Sequence, residues 1–137
     1  MGKLARAAFF VLALPVVLRA SWRVTSLARR LPLDELVTRL RTAPPFVVRL
    51  LARPEWLLAS LDRLLPALAP YGYGRCLKRS LLLLDLWSRC GLRPRLHLAA
   101  PVVRAAGRHE GHAWVTVEPA APRLGTSSEG YAEAFVL

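Results

Sequence analysis

Arg75-Cys76-Leu77-Lys78-Arg79-Ser80-Leu81-Leu82-Leu83-Leu84-Asp85-Leu86-Trp87-Ser88-Arg89-Cys90-Gly91 is the stretch on which the fold turns. Leu77, Leu81, Leu84 and Trp87 recur at helical spacing, and Gly91 suits the left-handed residue that ends a helix. The run from Leu81 to Leu84 reaches every side of that helix, which predicts a central, buried element. After Pro94 the period changes from helical to extended. Residues 95–103 and 113–117 read as strands, with 104–111 as a loop between them. Pro119-Ala120-Ala121-Pro122 makes the next turn, 123–128 returns as a third strand, and 131–135 reads as a last helical turn.

Upstream, residues 3–31 read as a helix kinked at Pro15, ending where Leu31 precedes Pro32 and is driven out of the α region. Residues 33–41 restart a helix with Asp34 and Glu35 at the positive end of its dipole. Thr42-Ala43-Pro44-Pro45 breaks it. Residues 46–51 and 55–68 read as short helices, with Pro54 placed at a first turn. Pro70-Tyr71-Gly72-Tyr73-Gly74 then delivers the chain to Cys76. The expected fold class is α+β, a helical N-terminal half packed on a small antiparallel sheet. Residues 1–69 form the helical region and 70–137 the remainder of one compact domain.

A chain of 137 residues that is 54% hydrophobic suits a single core and excludes disorder. Twenty Lys and Arg against nine Asp and Glu leave a net charge of +11. Such a surface favours acidic peptides or anionic lipid head groups. Many of the arginines fall between leucines, as the wet sides of amphipathic helices require. Nucleic acid is not an expected partner, because no helix-turn-helix, zinc-finger spacing or basic run interleaved with aromatics is present. Cys76 and Cys90, fourteen residues apart on one helix, stand about 21 Å from each other, beyond the reach of a disulfide. Free thiols imply a reducing compartment, so the expected location is cytoplasmic. The apolar run 7–18 spans about 18 Å as a helix, against roughly 30 Å of hydrocarbon. It reads as a packing helix able to lie on a membrane surface. A signal peptide is the lesser reading, since Arg19 sits inside the only candidate cleavage site.

Cys76 begins a helix, follows a glycine-rich approach and has Arg75, Lys78 and Arg79 as neighbours. Helix N-termini and cations both stabilise a thiolate, and first-turn N–H groups can hold an oxyanion. Cysteine is also a common small core residue, and that is the expected role of Cys90. His112 is the candidate general base, against the alternative of an ordinary strand histidine. Trp114, two residues on, shares its strand face and is placed to shield the imidazole or to fill the core. His109, Glu110, His112 and Cys76 lack ligand spacing, so neither a metal nor another cofactor is expected.

Cys76-Leu77, Arg79-Ser80-Leu81, Cys90-Gly91-Leu92, Arg95-Leu96-His97-Leu98 and Gly111-His112-Ala113-Trp114-Val115 together resemble the leader-cleaving B proteins of lasso-peptide biosynthesis. These microcin-processing proteins are transglutaminase-like cysteine peptidases, and the resemblance covers residues 70–117 well. It implies a papain-like arrangement with Cys76 as nucleophile and His112 as base. It also implies a precursor peptide as substrate, with a leader-recognition protein and a lasso cyclase as partners. The family places an aspartate on the strand after the histidine, whereas no Asp follows Asp85 here. Glu118, six residues along the strand, is about 20 Å from His112. A hairpin centred between Ala120 and Ala121 sets Glu129 opposite His112 at about 5 Å between Cβ atoms. A one-residue slip replaces it by Ser128 or Gly130. The alternatives are a Cys-His dyad, or a catalytically impaired scaffold or basic membrane-surface protein.

Overall fold

The computed structural model describes residues 2–68, 74–101, 112–118 and 131–136, with side chains at 99–101, 112, 118 and 131–136 excepted. Helix α1 runs Lys3–Ala28, α2 Leu33–Arg41, α3 Pro54–Leu64 and α4 Arg75–Arg89. Strands β1 Arg93–Pro101, β2 His112–Glu118 and β3 Tyr131–Val136 follow.

Leu82, Leu83, Leu84, Leu86 and Trp87 of α4 are fully buried, and successive residues point to all sides of a helix. That burial requires neighbours all round. Helices α1, α2 and α3 cover one side, and β1 and β2 cover the other. Phe9, Val17 and Val24 of α1, Leu36 and Leu40 of α2, and Leu57 and Leu61 of α3 join the same apolar cluster as the α4 leucines. Helix α3 is fixed at its start by the Trp87 indole N–H, which donates to the Pro54 carbonyl at 3.2 Å. Its Trp56 ring meets Phe9 of α1 edge-on at 5.1 Å.

Helix α1 passes through Pro15 without a break. Proline there removes the N–H that would bond the Val11 carbonyl, and its ring crowds that carbonyl.

The segment expected as a helix over 46–51 is a correction. Only a single 3-10 turn, Arg49–Leu51, forms there. Prolines at 44, 45 and 54 leave too few residues to nucleate an α-helix, and Val47 and Val48 are poor helix formers. Instead the Phe46 N–H donates to the Arg89 carbonyl at 3.0 Å, docking the segment on the end of α4.

The sheet has the order β2-β1-β3. Strand β1 pairs antiparallel with β2, Leu96 opposite Val115 and Ala99 opposite His112. On its other edge β1 pairs antiparallel with β3, with a bulge between Leu98 and Ala99. Residues 131–136 are therefore strand, not the expected helical turn, because the open edge of β1 satisfies their backbone while six residues cannot sustain a helix alone. Leu96, Leu98, Ala113, Val115 and Val117 face the helical cluster. The loop, turn and third strand expected over 104–111, 119–122 and 123–128 lie outside the described residues.

Candidate active site

Cys76 is the second residue of α4 and is exposed. Gly74 is the N-cap, at φ 106 and ψ 146, a conformation that only glycine adopts without strain. The first backbone bond of the helix is from the Lys78 N–H to the Gly74 carbonyl, 3.1 Å. The N–H groups of residues 75–77 precede it, and glycine has no side chain with which to cap them. The thiol therefore stands beside a cluster of donors at the positive end of a fifteen-residue helix.

The neighbouring cations are arranged differently from the sequence reading. The Lys78 side chain is 3% exposed, and its Nζ donates to the Leu68 carbonyl at 2.6 Å. Burial lowers its pKa. Its ammonium ties the end of the 3-10 turn Leu65–Leu68 to the first turn of α4. The anchored contact spans the approach to Cys76. Arg79 makes a bidentate pair with Asp62, 2.7 and 3.2 Å. Arg75 remains an exposed neighbour of the thiol.

Cys90 lies at the other end of the helix as its C-cap. Burial pushes its thiol up to about 12, so it is the inert cysteine of the two. Both are free.

His112 opens β2 and pairs with Ala99; its side chain is outside those described. From Cys76 to Cys90 the helix advances about 21 Å. The chain then turns at Gly91, φ 83, and β1 packs against the helix it has just left. From Arg93 to Ala99 it covers about 20 Å. Ala99, the partner of His112, is the seventh residue of β1, a strand that packs against α4.

Trp114 is 5% exposed and stacks on His97, ring centroids 5.2 Å apart and planes 8° from parallel. The His97 Nε2 and Thr116 Oγ1 are 2.7 Å apart. The described imidazole beneath Trp114 is thus that of His97, a pairing the sequence reading passed over. The opposition His97–Trp114 follows from the β1–β2 register, which a single sequence does not fix.

Glu129, His109 and Glu110 lie outside the described residues. The hairpin over 119–128 from which the Glu129 register is drawn also lies outside the described residues, and the described strand β3 pairs with β1. Strand β3 is separated from β2 by β1.

Halfway along α4, Asp85 is 1% exposed. Its carboxylate is 3.6 Å from an Arg23 nitrogen of α1 and 3.4 Å from Arg89 Nε. It belongs to the frame that holds α1 against α4, about 14 Å along the helix from Cys76.

A helical layer wrapped round a central helix, itself packed on a small antiparallel sheet, with an exposed cysteine in that helix's first turn, defines a class of α+β thiol protein. Residues 14–135 match the transglutaminase-like superfamily, and the chain belongs to it. That superfamily includes cysteine peptidases. No curated protein and no solved structure matches the chain.

Proposed function

We propose that this protein is a cysteine endopeptidase that removes the leader from a ribosomally made, lasso-type precursor peptide. The observation that carries the reading is the exposed Cys76 in the uncapped first turn of α4, in a chain of a superfamily that includes cysteine peptidases. In this reading the Cys76 Sγ attacks the scissile carbonyl, and His112 takes the thiol proton and gives it to the leaving amine. The first-turn N–H groups hold the oxyanion. Water then attacks the thioester, His112 accepting its proton and returning it to sulfur as the acyl group leaves.

The resemblance of residues 70–117 to the lasso-peptide B proteins supplies the substrate class. It also supplies a separate leader-recognition protein and a cyclase as partners. The two free thiols support work in the cytoplasm. Cys76 and His112 suffice for this mechanism. A Glu129→Gln variant tests for an orienting acid, because losing one slows the reaction without removing nucleophile or base.

The deciding experiment is a reconstituted cleavage reaction with precursor, recognition protein and enzyme. Cys76→Ala and His112→Ala each abolish cleavage, while Cys90→Ala retains it. Folded Cys76→Ala protein that still cleaves overturns the mechanism. Wild-type protein that binds precursor without cutting it assigns the fold to a scaffold, the reading that the missing aspartate favours.

A further inference from the structure

Helix α1 is apolar on two opposite sides. At 100° per residue, Phe9, Ala13, Val17, Ala20 and Val24 fall on one side and are buried against the core. Leu4, Val11 and Leu18 repeat every seven residues on the far side, with Trp22 one turn beyond. They are 86%, 66%, 47% and 73% exposed. Leu12, beside this row, is 54% exposed. The remaining large exposed hydrophobic side chains among the described residues are Val47, Val48 and Leu50, on the segment that runs alongside α1. Leu50 shares a cleft with Ala8 and Leu12, and Val47 one with Val16 and Arg19. Every such side chain described is therefore gathered on one surface of the molecule.

The charged residues of α1 and of the segment 42–53 are all basic, and the acid that lines the Val47 cleft, Asp85, is buried and paired with Arg23 and Arg89. The chain has no acidic residue before Asp34, and none between Arg41 and Pro54. Arg19, Arg29, Arg30 and Arg49 are exposed beside or within the apolar row. Helix α1 is long and apolar enough to cross a membrane by length and composition. Its buried face is nevertheless built into the core, which fixes it along the protein surface. A second copy of the chain on this face would bring two sets of arginines together, and neither α1 nor the segment 42–53 has an acid to offset them.

We infer that this surface docks the protein on an anionic lipid bilayer, α1 lying in the interface with its outer row among the acyl chains and its arginines at the head groups. This stands apart from the peptidase reading and needs neither Cys76 nor His112.

The test is flotation of the full chain with phosphatidylcholine vesicles, with and without phosphatidylglycerol. Binding to the phosphatidylglycerol vesicles is expected, weakening as salt is raised. A Leu18→Ser/Trp22→Ser double variant, with unchanged far-ultraviolet circular dichroism, should lose about tenfold or more of that binding, since both side chains are exposed and two apolar anchors are removed. Arg19→Gln/Arg30→Gln should weaken binding only where phosphatidylglycerol is present. Absent binding, equal binding of neutral and anionic vesicles, or undiminished binding by the double variant overturns the inference. A lipid-free dimer that disappears in the double variant assigns the face to a second copy and overturns it too.

Discussion

Asparagine at position 85 isolates what a buried carboxylate does to the stability of α4. The Asp85 side chain is 1% exposed, and Arg23 and Arg89 approach it at 3.6 and 3.4 Å. At an effective dielectric of about 20, each contact is worth roughly 5 kcal/mol of attraction. Against this stand several kcal/mol of desolvation for each ion taken from water. Burial is the larger influence: it raises the Asp85 pKa above its ordinary 3.8, although both arginines pull it down. A carboxyl whose folded pKa is raised binds its proton more tightly in the native state. Its charged form therefore costs stability at neutral pH, and the cost fades as pH falls through the raised pKa toward 3.8. Because the Arg23 and Arg89 side chains are 31% and 22% exposed, they can be hydrated without their partner. Asp85→Asn should accordingly be neutral to about 2 kcal/mol more stable at neutral pH. The difference from the parent should shrink in acid. Arg89→Ala should lose about 1–3 kcal/mol, below the figure for a fully buried pair because Arg89 is partly exposed. Urea unfolding followed by circular dichroism across the acid-to-neutral range measures all three proteins. If Asp85→Asn loses more than about 2 kcal/mol at neutral pH, and the loss diminishes in acid, the arginine attractions exceed the burial cost and the reasoning is refuted.

Iodoacetamide at neutral pH should label Cys76 and spare Cys90, whose thiol is pushed up to about 12; peptide mapping reads the sites, and preferential labelling of Cys90 in folded protein would end the assignment of the reactive thiol. Gly74→Ala should cost about 1–3 kcal/mol by denaturant unfolding. The whole effect is backbone strain at φ 106, since an added Cβ there meets no atom within 4 Å. Leu83→Ala should cost about 2–5 kcal/mol, whereas Leu4→Ala, 86% exposed, should stay within about 0.5 kcal/mol. Equal losses would mean that α4 is not the centre of the core.

What the sequence discloses is what neighbouring residues decide together. The leucine run of α4, the acids that open α2 and the Gly91 turn are each local, and each element forms as its pattern directs. Lys78 and Asp85 lie where helical spacing puts them, but their burial follows from what packs against α4. A charged residue written among leucines looks the same whether its head reaches water or a carbonyl ten residues away. Residues 131–136 show the same dependence in the backbone. Their alternation of small and large side chains fits a turn of helix or an edge strand, and the available edge of β1 decides. Register is more remote still. The opposition of His97 and Trp114 depends on a loop whose length counts for more than its composition. The described strands are likewise ordered β2-β1-β3, so the strand that follows β2 among them, β3, pairs with β1 and not with β2. Cys76 escapes this limit. The features that make its thiol chemically distinctive, a glycine at positive φ, the uncapped N–H groups after it and the helix they begin, lie within a few residues of it. A nucleophile at a helix start can be read from one segment. The base proposed for it, His112, stands on a strand, and relating the two requires the sheet order.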